Sequence, residues 1–78
     1  MSSYSFSDLQ SVLRRIPTGN PFYPYRGDTV VVIKNEDGSI SVMDNGEETE
    51  FASVAEASSY VDQLRPVPLD LSSVDEYV

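Results

Sequence analysis

The sequence predicts a small α+β domain: a three-stranded antiparallel β-meander flanked by an N-terminal helix and a C-terminal helix, in the order αβββα. Three observations predict it. Leu9, Val12, Leu13 and Ile16 recur at i, i+3, i+4 and i+7, which places them on one face of a helix. Asn45-Gly46 separates two alternating segments, and Asn-Gly is the strongest two-residue hairpin signal. Ser53 followed by Glu56 opens a second stretch at helical spacing, in the pattern of a capping box.

Taken in order, the first helix is expected over Asp8–Ile16. Ser7 and Gln10 read as its capping box, Arg14 and Arg15 suit the negative end of its dipole, and Pro17 and Gly19 stop it. Residues 17–27, PTGNPFYPYRG, hold three prolines, two glycines and three aromatics, the composition of an extended irregular connection. The first strand is Thr29–Lys34, TVVVIK, apolar on both faces. Asn35-Glu-Asp-Gly38 is turn chemistry. The second strand, Ser39–Asp44, sets Ile40 and Val42 against Ser39, Ser41 and Met43, and the third, Glu47–Phe51, sets Thr49 and Phe51 against Glu48 and Glu50. The second helix runs from Val54 to Leu64 on Val54, Ala57, Val61 and Leu64, and ends before Pro66. Residues 1–78 form one domain, of which 66–78 is an acidic tail that adds one more helical turn or stays mobile.

The chain of 78 residues has no Cys, no His and no Trp. Disulfides, thiolate zinc sites, the commonest general base and the usual transition-metal ligands are therefore missing. No metal site and no cofactor is expected. Asn35-Glu-Asp-Gly38 and Asp44-Asn-Gly46 fail the spacing of a calcium loop, and no P-loop or dinucleotide fingerprint exists. A carboxylate pair such as Glu48 and Glu50 needs a cleft to separate its pKa values, and a three-stranded domain offers little depth for one, so a non-enzyme is expected. The first residues lack the pattern of a signal peptide and no apolar run approaches a membrane span. A cytoplasmic location is expected.

The charge is strongly polarised along the chain. Five basic residues face thirteen acidic ones, a net charge of −8. Residues 35–64 contain Glu36, Asp37, Asp44, Glu47, Glu48, Glu50, Glu56 and Asp62 and no base. Such a charge repels nucleic acid and anionic membranes and attracts basic surfaces. Residues i and i+2 of a strand lie about 6.8 Å apart, so Glu48 and Glu50 stand close to the spacing of neighbouring phosphates. Glu36, Asp37, Asp44 and Glu47 would extend that row through the turns. The competing account is a solvated surface: edge charges block aggregation, net charge serves solubility or salt adaptation, and Glu56 already has its role in the capping box.

Two apolar features invite partners as well. Tyr23 and Tyr25 in the Pro-rich loop could anchor another protein, or together with Phe22 cap the open end of the core. The first strand, apolar on both faces, needs a cover from the chain itself or from a second copy, so a homodimer is possible. The terminal Asp75-Glu-Tyr-Val78 is a minor option for strand addition to a peptide-binding domain. Asn20-Pro-Phe22, the Asn35–Ser41 hairpin, and Tyr60-Val-Asp followed by Arg65-Pro-Val-Pro-Leu69 resemble stations along the MbtH-like proteins, small acidic β-β-β-α partners of adenylation domains. The tryptophans of that family are absent and the hairpin-to-helix spacing is shorter, so no residue role carries over. The resemblance implies that such an architecture can serve as a non-catalytic accessory.

The expectation is thus a non-catalytic acidic inhibitor that docks on a basic, nucleic-acid-binding surface of a larger protein. Small acidic phage and mobile-element inhibitors such as anti-CRISPR proteins and other nucleic-acid mimics are its analogues in size and charge. The partner-binding residues would be Glu36, Asp37, Asp44, Glu47, Glu48, Glu50, Tyr23 and Tyr25. The alternatives are an immunity or antitoxin-like protein that neutralises a basic toxin, and an accessory subunit that binds through the first strand and the aromatic loop.

Overall fold

The computed structural model describes Tyr4 and residues 6–72. Its elements are α1 (Phe6–Arg15), β1 (Val31–Lys34), β2 (Ile40–Asp44), β3 (Glu47–Phe51) and α2 (Val54–Asp62). The predicted α+β order is the observed one. The strands form one antiparallel sheet in the order β1-β2-β3, with Val32 opposite Val42 and Val42 opposite Thr49. Both turns use the residues that their geometry demands. Asn45 and Gly46 both have positive φ, 54° and 90°, the conformation that matches the twist of a two-residue hairpin.

Alternation sorts the sheet into two faces. Val32, Ile40 and Val42 point inward and are buried. Val31, Ile33 and Met43 lie on the outer face and are half-buried, beside the exposed Glu48 and Glu50. The helices form a layer on the inner side: α2 packs on β2 and β3, and α1 packs beside α2. Leu9, Val12, Leu13 and Ile16 are all buried, as their spacing requires. Ser53 caps α2, its hydroxyl accepting from Glu56 N at 3.2 Å. Ser58 is buried in that helix with no hydrogen-bond partner for its hydroxyl among the described residues.

Several boundaries differ from the expectation, each for a local reason. α1 begins at Phe6, so Ser7 lies inside the helix and does not cap it. β1 begins at Val31 because residues 25–30 turn: Asp28 N donates to Tyr25 O at 3.3 Å, and Thr29 N donates to Asp28 Oδ1 at 2.6 Å. α2 stops at Asp62 and closes with a Gln63 N–H to Tyr60 O bond, leaving Leu64 in the following turn.

Residues 66–72 are the larger difference. Leu69 and Leu71 belong to the core, at 6% and 0% exposure. Leu69 bridges Tyr4, and Asp70 N donates to Pro24 O at 2.8 Å. A 78-residue chain has little apolar surface to spare, and these two leucines close the end of the core that the meander leaves open. Val74 and the terminal motif 75–78 lie outside the described residues. Among the described residues, no helix is long and apolar enough to cross a membrane.

Candidate functional site: an acidic sheet face and its free edge

The two edges of the sheet are treated differently. β1 is shielded by the loop before it: Phe22 and Val32 exchange backbone hydrogen bonds at 2.9 and 2.8 Å, and Gly19 N donates to Lys34 O at 2.9 Å. Lys34 Nζ in turn donates to Arg14 O at 2.8 Å, at the C-terminal end of α1. At the opposite edge, β3 pairs only with β2 among the described residues. Glu47, Glu48, Thr49 and Glu50 are all exposed.

Register decides which carboxylates share a face. Glu48 stands opposite Met43 and Glu50 opposite Ser41, both on the outer face. A polar network extends this pair toward the first turn. Asn35 Nδ2 donates to Ser39 Oγ at 3.0 Å and to Ser41 Oγ at 2.9 Å. Ser39 Oγ lies 2.7 Å from Asp37 Oδ1 and 3.4 Å from Glu50 Oε2. A hydroxyl has one proton to donate, and the shorter contact assigns it to Asp37. That bond, with a second from Ser39 N at 2.9 Å, holds the Asp37 carboxyl below its ordinary pKa. Asp37, Glu50 and Glu48 therefore form a column down one side of the outer face. Glu36 stands in the same turn as Asp37, exposed.

Two of the expected acids do not join the column. Asp44 and Glu47 face each other across the second turn, at the other end of the sheet and on its inner side. Asp44 is also engaged by a base from outside the acidic stretch. Arg65 Nη2 lies 2.6 Å from Asp44 Oδ1, while Arg65 Nε and Nη2 lie 2.8 and 3.0 Å from the two oxygens of Asp28. One planar guanidinium thus holds two carboxylates. Asp44 is a structural ion-pair partner rather than part of a free anionic row. Chain order alone hides this, because Arg65 sits one residue beyond the segment that lacks bases. The hydrogen bonds from Arg65 lower the Asp28 pKa from 3.8 to about 2, and Asp28 and Asp44 together raise that of Arg65.

A group whose folded pKa is depressed stabilises the fold above its unfolded pKa and loses that contribution as pH falls through the folded value. Stability is accordingly expected to decline as pH drops from about 4 toward 2. Arg65→Gln should be less stable at neutral pH and lose much of this acid-dependent decline, as read from denaturation midpoints across that range. Equal acid limbs in the two proteins would show that the Arg65 pairs do not control it.

The two tyrosines also part company. Tyr25 is 2% exposed and its hydroxyl donates to Val61 O near the end of α2. It is a core residue, not a docking anchor. Burial is the main cause of its raised pKa. Tyr23 is 55% exposed and stands at the rim of an open depression of about 430 Å³, lined also by Arg26, Gly27, Asp28, Asp70 and Ser72. The carboxylates there are already engaged, Asp28 by Arg65 and Asp70 by Ser72 Oγ at 2.7 Å. Both titrate below the ordinary carboxyl range, so neither is poised to donate a proton at neutral pH. Among the described residues, no group of three or more acidic side chains converges to hold a metal ion.

The sequence reading missed Asn35, Ser39 and Ser41, which organise the acidic column. Their signal was present: serines alternate with Ile40 and Val42 on the face that also carries Glu48 and Glu50. No family model matches the chain, and neither the curated proteins nor the solved structures contain a significant match to it.

Proposed function

We propose that this chain is a non-catalytic binding protein whose acidic sheet face docks on a basic surface of a larger protein, occupying the place of the nucleic acid that the surface binds. The observation that carries this reading is the exposed column of Glu48, Glu50 and Asp37 on one face of a hydrogen-bonded sheet. Carboxylates spaced about 6.8 Å apart on a strand present charge at nearly the interval of a phosphate backbone. Their field steers a basic partner and raises its association rate. The position of Arg14, Arg15 and Lys34 supports the reading too. They lie at the end of α1 and on β1, and β1 is the edge of the sheet opposite β3. The inhibitor class to which such a molecule belongs is that of small acidic phage and mobile-element proteins directed at host nucleic-acid-binding machinery, of which anti-CRISPR proteins are one kind. A cysteine-free chain is suited to the cytoplasm, where those targets reside.

Capture of binding proteins from a cell lysate, with the retained protein identified, tests the proposal. Retention at low salt is expected, with release as salt approaches 1 M, where the screening length is about 3 Å. Duplex DNA or RNA should compete the retained protein away. A retained protein indifferent to both salt and nucleic acid would sink the reading. Loss of that retention in Tyr23→Ala would instead favour an accessory subunit that docks through the aromatic loop.

A further inference from the structure

The free edge of β3 has a specific capacity that charge alone does not describe. The Asn45-Gly46 turn closes on the Asp44–Glu47 pair. In a two-residue hairpin that first pair is hydrogen-bonded, and bonded pairs alternate from there. The backbone groups of Glu47, Thr49 and Phe51 consequently turn toward β2, and those of Glu48 and Glu50 turn outward. No other described segment pairs with β3. An added strand would bond to Glu48 and Glu50, and its residues opposite them would share the outer face, with Cβ atoms about 4.5–5.5 Å from those of the two glutamates. On the inner face the same strand would meet Thr49 and the half-buried Phe51, whose ring packs on Tyr60 with centroids 5.0 Å apart.

We infer that β3 accepts a fourth strand from a partner, an extended segment in which Lys or Arg alternates with apolar residues. Charge complementarity selects this occupant. The basic side chains fall beside Glu48 and Glu50, and the apolar ones extend the inner face toward Phe51 and Tyr60. A second copy of β3 is disfavoured by the same geometry, since in an antiparallel pair centred on Thr49 the glutamates at 48 and 50 would face one another, and like charges directly opposite are destabilising. The inference rests on the proposed acidic docking function and specifies how the partner engages.

The test uses the full chain and the synthetic peptide Thr-Lys-Val-Arg-Val-Lys-Thr, blocked at both ends. Micromolar to millimolar binding at low salt is expected, with amide hydrogen exchange slowed at Glu48 and Glu50. One N-methyl group on the central Arg amide removes a hydrogen bond to β3 and should weaken binding at least tenfold. The same group on a Val amide, which faces away, should change it less than threefold. A peptide of the same composition with its bases contiguous should bind at least tenfold more weakly. Equal effects of the two N-methyl groups, with no protection at Glu48 and Glu50, would overturn strand addition while leaving charge-driven docking intact. No peptide binding, or self-association of the chain through β3, would overturn it as well. The docking function itself fails on a separate result, namely the absence of a salt-sensitive basic partner in the capture experiment.

Discussion

Tyr25→Ala is expected to lower folding stability by about 3–5 kcal/mol, the range for removing a buried aromatic ring. The side chain is 2% exposed and packs within the one core of the domain. A chain of this size has on the order of 4–12 kcal/mol in total, so the loss takes from about a quarter of the stability to all of it. Tyr25→Phe keeps the ring and loses only the bond to Val61 O, which still accepts from Leu64 N; a loss of about 1 kcal/mol is expected. Tyr23→Ala, two residues away and exposed, should change stability by no more than about 0.5 kcal/mol. Denaturant midpoints of the three variants check the contrast, and similar losses for Tyr23→Ala and Tyr25→Ala would contradict the assigned burial. The hydroxyl adds a pH signature. Because burial raises the folded pKa of Tyr25 above 10, its contribution is complete below pH 10 and is lost as pH rises beyond it. Tyr25→Phe should lack that alkaline loss.

Reversal of Glu47, Glu48 and Glu50 to Lys is expected to weaken binding of the captured partner about 100-fold at low salt. Each reversal both removes an attraction and adds a repulsion, and surface charge contacts are individually worth about twofold to fivefold. The three side chains are exposed, so the unfolding midpoint should move little. The location of the charge matters as well as its amount. Asp62→Lys, at the end of α2, should weaken binding by less than about fivefold, whereas Glu48→Lys alone should exceed that. If the triple variant binds as tightly as the parent, neither the outer face, which carries Glu48 and Glu50, nor the β3 edge at Glu47 is the docking surface. Isothermal titration at two salt concentrations measures all of these outcomes, and the difference between variants should shrink at the higher one.

The features behind these outcomes differ greatly in how visible they are in the chain. Periodicity alone placed Leu9, Val12, Leu13 and Ile16 on the buried stripe of α1, and Ile40 and Val42 on the inner face of β2, because side-chain direction follows directly from helical and strand geometry. The β3 boundaries and the Asn45-Gly46 turn were legible for a similar reason: a positive-φ pair has few acceptable residues. The acidity of residues 35–64 was plain, and so was the alternation that puts Glu48 and Glu50 together.

Composition could not divide Tyr23 from Tyr25, since both occupy the same Pro-rich loop and only the path of that loop over the end of the core buries one of them. Nor could it show that Arg65 crosses to Asp28 and Asp44, or that Leu69 and Leu71 fold back to join Tyr4 and Pro24. Local sequence dictates backbone direction and which face a residue occupies, because those are set by nearest neighbours along the chain. Which charges are neutralised, which ring is core and which sheet edge stays open depend on contacts between segments tens of residues apart. Those were decided only when the two helices, the loop along the β1 edge and residues 66–72 closed on one shared core.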